Sequence, residues 1–134
     1  MPSDSIDTNI IVHGIIADPQ SMRERIWDFL EQSDCLHRIF DLTITEAIYV
    51  MDSIYEQNRT QIAENLTLFL NQFGDKLDYN RTITKMILPF WAKHPSLSYN
   101  DCYLAFMAEL ANVEPFVTLD KKLAKQHSSA KLLA

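Results

Sequence analysis

The chain has 134 residues, of which 47% are hydrophobic, and it carries a formal net charge of −6. Its length and hydrophobicity predict one globular domain, 1–134, and argue against disorder. Its acidic charge argues against a broad basic face for nucleic acid. The only glycines, Gly14 and Gly74, exclude a P-loop, a G-x-G-x-x-G dinucleotide fingerprint and a G-x-S-x-G nucleophile elbow.

The sequence has no feature that would direct it to an oxidising compartment or into a membrane. Its two cysteines, Cys35 and Cys102, cannot form a disulfide framework. The N-terminus has no charged-apolar-small signal segment, and no apolar run approaches membrane-spanning length. We therefore expect a cytoplasmic protein with no membrane partner.

Apolar residues alternate between strand and helix periodicity along the chain. The stretch Ile6–Val12 starts as a buried first strand, which is predicted to end at Asp7 before further apolar residues. A polar leader, from Pro2 to Ser5, precedes this strand. The pair Asp18-Pro19 predicts an N-cap and a first helical residue. The other predicted elements are a helix to about Ser33, a strand within 35–42, helices 43–57 and 60–73, a short strand 76–79, helices 81–93 and 98–112, a strand 116–119 and a helix 121–126.

Strands that alternate with helices predict βα units with a sheet covered on both faces. We therefore expect an α/β fold, a three-layer α/β/α sandwich with a central, mainly parallel sheet. The helix 98–112 should be largely buried, because Glu109 is the only charge between Cys102 and Ala111. The strand 116–119 should be central, and the tail after His127 carries no strong pattern.

Four acidic residues occupy positions that a parallel sheet would bring to one edge. Asp7 and Asp120 each follow an apolar strand, whereas Glu46 and Asp101 each lie in the first turn of a predicted helix. Open α/β sheets bind ligands at the carboxyl ends of their strands. The four acids are therefore candidate site residues.

Each acid also has a structural interpretation, which is favoured when the acid is considered singly. The two that follow strands fit turn residues. Thr43-x-x-Glu46 and Ser98-x-x-Asp101 fit capping boxes, in which the acid satisfies backbone N–H groups at a helix start. Considered together, four carboxylates at one edge would repel each other unless a cation offset their charge. Mg²⁺ and Mn²⁺ prefer such oxygen ligands and catalyse phosphodiester hydrolysis.

This arrangement resembles PIN-domain ribonucleases, especially toxins of the VapC type. The resemblance covers nearly the whole chain in the order, spacing and total length of its elements. The matching residues are Asp7-Thr8-Asn9 after the first strand, Glu46 early in the helix after the second strand, Asp101 at the start of a buried helix, and Thr118-x-Asp120 followed by Leu123.

The resemblance implies a Mg²⁺- or Mn²⁺-dependent endoribonuclease that cleaves RNA and forms a homodimer. Its metal-binding and catalytic residues would be Asp7, Glu46, Asp101 and Asp120. In this set Glu46 would bind the metal or orient an attacking water, while Asn9 and Thr118 would support the site by hydrogen bonds. The resemblance also implies a VapBC-type toxin–antitoxin pair, in which the tail of a small antitoxin covers the acidic site.

Other classes of protein also fit parts of this pattern. A non-catalytic PIN-like binding or assembly module and a PIN nuclease of RNA processing both remain open. A phosphoacceptor domain fits poorly, because no convincing mid-chain strand ends in a candidate acceptor Asp. A haloacid-dehalogenase-like phosphatase requires D-x-D after its first strand, and Asp7-Thr8-Asn9 lacks the second acid.

The remaining polar residues carry weaker signals. Lys121 and Lys122 form either a solvated helix face or a contact to RNA phosphates. Asp4 competes with Asp7 for the position after the first strand, but it lacks an apolar run that would bury it. The four histidines have no zinc-site spacing and are interpreted mostly as surface or loop residues, and both cysteines as small buried side chains rather than nucleophiles.

Overall fold

The structure, a computed structural model, describes residues 2–133 in two compact units that divide between Asn80 and Arg81. Its elements in chain order are β1 (Pro2–Ser5), α1 (Thr8–Ile15), α2 (Gln20–Gln32), β2 (Leu36–Arg38), α3 (Asp41–Ser53), α4 (Arg59–Gln72), β3 (Leu77–Asp78), α5 (Arg81–Lys93), α6 (Tyr99–Leu110), β4 (Phe116–Thr118), α7 (Lys121–Gln126) and β5 (Ala130–Leu132). The helices within residues 2–133 are all too short or too polar to cross a membrane.

The first unit contains a parallel sheet of three strands in the order β1-β2-β3. Its register places Asp4 of β1 beside His37 of β2. Pairing continues beyond the end of β1, where the Ile6 N–H donates to the Arg38 carbonyl at 3.0 Å. Backbone pairing therefore extends to the residue before Asp7, and Asp7 lies at the carboxyl ends of the strands. Both β2 and β3 lie inside the ranges predicted for them.

The first strand differs from its prediction. The polar residues Pro2–Ser5 form β1, and the apolar residues after Asp7 belong to α1, a helix that the sequence analysis did not identify. Because β1 is an edge strand, backbone pairing with β2 forms it without a matching apolar pattern. Asp7 nevertheless follows the strand as predicted, and it is the N-cap of α1.

Helix α1 packs closely against three other helices of the first unit, α2, α3 and α4. A Cβ atom added at Gly14 would lie 2.7 Å from Cε1 of Phe69 and 3.3 Å from Cγ2 of Ile26. The indole Nε1 of Trp27 donates to the Gly14 carbonyl at 2.7 Å. A glycine is therefore needed here because α1 passes so close to the side chains of α2 and α4.

Two helix starts in the first unit differ from their predictions. Helix α2 begins at Gln20 with Pro19 as its N-cap, so Asp18 does not cap it. Helix α3 begins at Asp41 with Phe40 as an N-cap that makes no side-chain hydrogen bond. The capping box predicted from Thr43-x-x-Glu46 is therefore wrong, because the helix has already started before Thr43.

The second unit contains helices α5, α6 and α7 and a two-stranded parallel sheet of β4 and β5. Helices α5 and α7 occupy their predicted ranges, and α6 follows Ser98 as its N-cap. Within residues 2–133 β4 pairs only with β5, so the prediction of a central strand is wrong. Strand β5 was not predicted from the sequence. At the residue before it, the Ser129 carbonyl accepts from the Phe116 N–H of β4 at 2.7 Å.

Burial corrects two further expectations. Helix α6 is not buried all round, because Leu104 and Leu110 are 45% and 41% exposed while Cys102 is fully buried. Two of the four histidines, His37 and His127, are 1% and 3% exposed, so the surface interpretation is wrong for them. The protein has an α/β fold with parallel sheets, as predicted, but its polar residues enter the interior more often than the pattern indicates.

Candidate functional site

Asp7 lies between the end of the first sheet's edge strand and the start of α1. Its backbone is extended, with φ −87° and ψ 164°, and its Oδ1 accepts from the Thr8 N–H at 2.7 Å. Its side chain is exposed. Asp7 is thus an N-cap, as its structural interpretation allows, and it also presents a carboxylate to solvent at the carboxyl ends of the strands.

Thr8 connects Asp7 to a second acid. The Thr8 hydroxyl donates to Oε2 of Glu46 at 2.9 Å, across 38 positions of the sequence. Thr8 is 8% exposed, whereas Glu46 is exposed on α3. Thr8 therefore binds Asp7 through its backbone N–H and Glu46 through its hydroxyl, a role for Thr8 that was not predicted from the sequence.

A cavity of about 520 Å³ opens at the carboxyl ends of the strands of the first sheet. It is lined by the last residue of β2 and β3 and by the residues that follow each strand, 38–41 and 78–80. Nε of Arg38 lies 2.7 Å from Oδ2 of Asp78, and both side chains are partly exposed. Parallel sheets bind ligands at these strand ends.

Asp101 lies in the first turn of α6 and is half-buried. Its backbone N–H donates to Oγ of Ser98 at 3.1 Å, which is one half of the predicted capping box. Within the described part of the chain no reciprocal bond joins the Asp101 carboxylate to the Ser98 backbone. The carboxylate is therefore not engaged as a cap.

Asp120 is the N-cap of α7, where its Oδ1 accepts from the N–H groups of Lys122 at 2.9 Å and Leu123 at 3.2 Å. The Asp120 N–H in turn donates to Oγ1 of Thr118 at 3.0 Å. This bond involves the backbone of Asp120 and not its carboxylate, so the supporting role of Thr118 stays a prediction. The side chains of Lys121 and Lys122 are exposed.

Two of the four predicted acids, Asp7 and Glu46, lie in the first unit, and the other two, Asp101 and Asp120, lie in the second. Asn9 is exposed, and no residue between 2 and 133 makes a hydrogen bond with its side chain, so its supporting role stays a prediction. All four acids offer carboxylate oxygens, the donors that Mg²⁺ and Mn²⁺ prefer.

The first unit allows a direct test of whether its acids fit such a cation. Oδ2 of Asp7 and Oε1 of Glu46 have no hydrogen-bond partner in the part of the chain that the structure describes. Each acid thus keeps one carboxylate oxygen for a ligand while its other oxygen is fixed by Thr8. Donor type and accessibility both fit a hard divalent cation.

A second group of metal-binding residue types lies elsewhere in the first unit. Asp4, Cys35 and His37 each offer one ligand atom, and these atoms lie within 4.8 Å of one another. None of the three is among the site residues predicted from the sequence. Their only sequence signal is Cys35-x-His37 on the second strand, because Asp4 joins them through strand pairing alone.

The PIN domain family model matches residues 5–127 of this chain. A search of curated proteins found no match. The family match spans all four predicted acids and both units, and PIN domains are generally nucleases that act on RNA with a divalent metal. With a match over most of its length and an α/β fold of helices and parallel strands, the chain belongs to the PIN domain family.

Proposed function

We propose that this protein is a Mg²⁺- or Mn²⁺-dependent endoribonuclease and the toxin of a VapBC-type toxin–antitoxin pair. The observation that carries the catalytic part is that two carboxylates, Asp7 and Glu46, both accept hydrogen bonds from Thr8 in a chain of the PIN domain family.

In this proposal the metal is held by Asp7, Asp101 and Asp120. Glu46 orients the attacking water and accepts its proton. When bound, Mg²⁺ or Mn²⁺ offsets the charge on the scissile phosphate and lowers the pKa of water. The Glu46 carboxylate, oriented by Thr8, accepts the proton of the water that attacks phosphorus in line. The bond between phosphorus and the 3′ oxygen breaks, and the 3′ oxygen takes a proton from solvent, which yields a 5′-phosphate and a 3′-hydroxyl.

The surface around Glu46 supports a protein inhibitor. Leu42, Glu46 and Tyr49 are spaced to share one face of α3. Leu42 and Tyr49 are 66% and 68% exposed. Apolar side chains on both sides of a catalytic carboxylate suit a peptide that covers it, as an antitoxin tail or the second subunit of a homodimer would.

The experiment is cleavage of a mixed single-stranded RNA pool by the purified protein with Mg²⁺, with Mn²⁺ and with EDTA. We expect metal-dependent cleavage that falls by at least about 100-fold in each of Asp7→Asn, Glu46→Gln, Asp101→Asn and Asp120→Asn. The matched control is Asp52→Asn, an exposed acid on α3 that should cleave normally. Protein free of bound inhibitor that stays inert with either metal would favour the non-catalytic binding module.

The toxin role has its own test. Induction of the wild-type protein in a bacterial host should stop growth, and induction of Asp101→Asn should not. Co-expression of the neighbouring open reading frame should restore growth. Cleavage in vitro without growth arrest would favour the alternative of a PIN nuclease in RNA processing.

A further inference from the structure

We propose that Asp4, Cys35 and His37 form a second metal site, which binds one thiophilic divalent cation such as Zn²⁺. Asp4 and His37 are direct neighbours on the paired strands β1 and β2, and Cys35 precedes β2. One oxygen, one sulfur and one nitrogen thereby lie within 4.8 Å of each other. None of the three belongs to the acids of the proposed nuclease site.

The imidazole of His37 is already oriented as a metal-binding histidine must be. It is 1% exposed, and its Nδ1 contacts Oδ1 of Asp4. Its Nε2 lies 2.7 Å from Oγ of Ser33, and the ring of Phe29 packs against it with centroids 5.0 Å apart. Side chains on three sides therefore fix the ring, and ordering the site costs little further conformational entropy.

The hydroxyl of Ser33 holds the second ring nitrogen of His37, which leaves Nδ1, beside Asp4, as the nitrogen that would bind the cation. The hydroxyl lies between Nε2 of His37 at 2.7 Å and Sγ of Cys35 at 3.4 Å. The proton between Nδ1 of His37 and Oδ1 of Asp4 is what a metal ion would replace when it binds. Cys35 is half-buried, and the Asp4 side chain is 48% exposed, so a cation can reach the group from solvent.

The ligand types select the class of cation. A thiolate and an imidazole favour Zn²⁺, Co²⁺ or Ni²⁺ over Mg²⁺ and Mn²⁺. Zinc bonds of about 2.0–2.3 Å place tetrahedral ligands about 3.3–3.8 Å apart, so the three ligand atoms must adjust to these separations when a cation binds. Side-chain rotation at exposed Asp4 and half-buried Cys35 supplies this adjustment. With thiolate and carboxylate both ionised, the loaded site is neutral, which suits its partial burial.

The test is metal binding by the whole protein under reducing conditions, with Zn²⁺ and Co²⁺ as probes. We expect one equivalent of Zn²⁺ to resist a colorimetric chelator, and Co²⁺ to produce a thiolate-to-cobalt charge-transfer band. Both signals should vanish in Cys35→Ala and persist in the matched variant Cys102→Ala, since Cys102 is fully buried elsewhere. Asp4→Asn should weaken Zn²⁺ binding by at least about tenfold.

Further variants separate this site from the nuclease acids and from unfolding. Asp7→Asn and Glu46→Gln should keep the Co²⁺ band, whatever they do to RNA cleavage. Zn²⁺ should slow alkylation of Cys35 by iodoacetamide in wild-type protein, as measured by mass spectrometry of the peptide. Absence of Zn²⁺ binding in reduced wild-type protein would overturn the proposal. So would an equal cobalt band in Cys35→Ala with a native circular dichroism spectrum.

Discussion

The hydroxyl of Thr8 donates to Oε2 of Glu46 at 2.9 Å, and so joins the first residue of α1 to α3. Thr8 is buried while Glu46 is exposed, so the bond restricts a carboxylate that would otherwise move freely in water. Its partner is not the capping threonine that the spacing predicted. The bond makes Thr8 a positioning residue for the proposed reaction.

Replacement of Thr8 by valine keeps its shape and removes the hydroxyl. We expect Thr8→Val to lower RNA cleavage by about tenfold and to raise the Mg²⁺ concentration for half-maximal activity. Hydrogen bonds that orient the groups of a metal site contribute about 10–100-fold to metal affinity or activity. Loss of one hydrogen bond should cost about 1 kcal/mol of unfolding free energy. Thr8→Ser retains the donor and should recover most activity; full activity in Thr8→Val would contradict the role.

The variant Gly14→Ala, which adds one methyl group, should destabilise the first unit. The new Cβ would lie 2.7 Å from the Phe69 ring, which is itself 3% exposed and cannot move aside freely. Overpacking of this kind costs about 1–3 kcal/mol, measured as the free energy of unfolding in urea. Gly74→Ala is the matched control, because no glycine within residues 2–133 has a positive φ. Equal stability of the two variants would show that Phe69 relaxes.

His127 should make stability depend on pH in a known direction. The pKa of the His127 imidazole lies below its ordinary value of 6.5, chiefly because burial disfavours the charged form. Glu109 and Glu114 oppose this shift, and His94 adds to it. Nδ1 accepts from the Ser129 N–H at 3.1 Å, which fixes the neutral form with its proton on Nε2. The unfolded chain therefore binds a proton that the folded protein does not. Stability is complete above about pH 6.5 and decreases as pH falls toward the lowered pKa.

The measurement is urea unfolding at pH 7.5 and pH 5.5 for wild type and His127→Asn. Asparagine offers an oxygen near the position of Nδ1 and does not titrate, so its stability should change less between the two pH values. Because other groups titrate equally in both proteins, the difference between them isolates His127. An unchanged pH dependence in His127→Asn would refute its contribution.

Charge reversal at Lys121 and Lys122 distinguishes an RNA contact from a solvated helix face. Both side chains are exposed beside Asp120, at the start of α7. If both lysines bind phosphates, Lys121→Glu with Lys122→Glu should reduce the slope of log affinity against log salt by about 1.4. Lys85→Glu with Lys93→Glu, two exposed positions on α5, is the charge-matched control. An unchanged slope would leave the solvated face as the interpretation.

Periodicity was sufficient for elements whose apolar side chains decide their structure. Helix α5 occupies its predicted range because Ile83, Ile87 and Trp91 recur on one buried face. Strand β5 was missed because only backbone pairing with β4 defines it. Helix α1 was missed because its run of apolar residues also fits a buried strand, and periodicity alone does not separate the two.

The candidate site was predictable residue by residue but not in its contacts. Acids that follow strands or begin helices can be read from local sequence, as Asp7 and Asp120 show. The bond of Thr8 to Glu46 joins residues 38 positions apart, and the contact of Asp4 with His37 joins residues 33 apart. Such contacts depend on strand register and helix packing, which one sequence does not specify.

The polarity of β1 has a consequence for the behaviour of the protein in solution. An edge strand presents unpaired backbone groups to which a strand of another molecule can add, and apolar edges aggregate readily. In β1 the residues Ser3, Asp4 and Ser5 are exposed and offer no apolar surface to such a strand. The polar composition of β1, because of which its apolar pattern did not predict a strand, thus protects this edge of the sheet from the addition of a strand of another molecule.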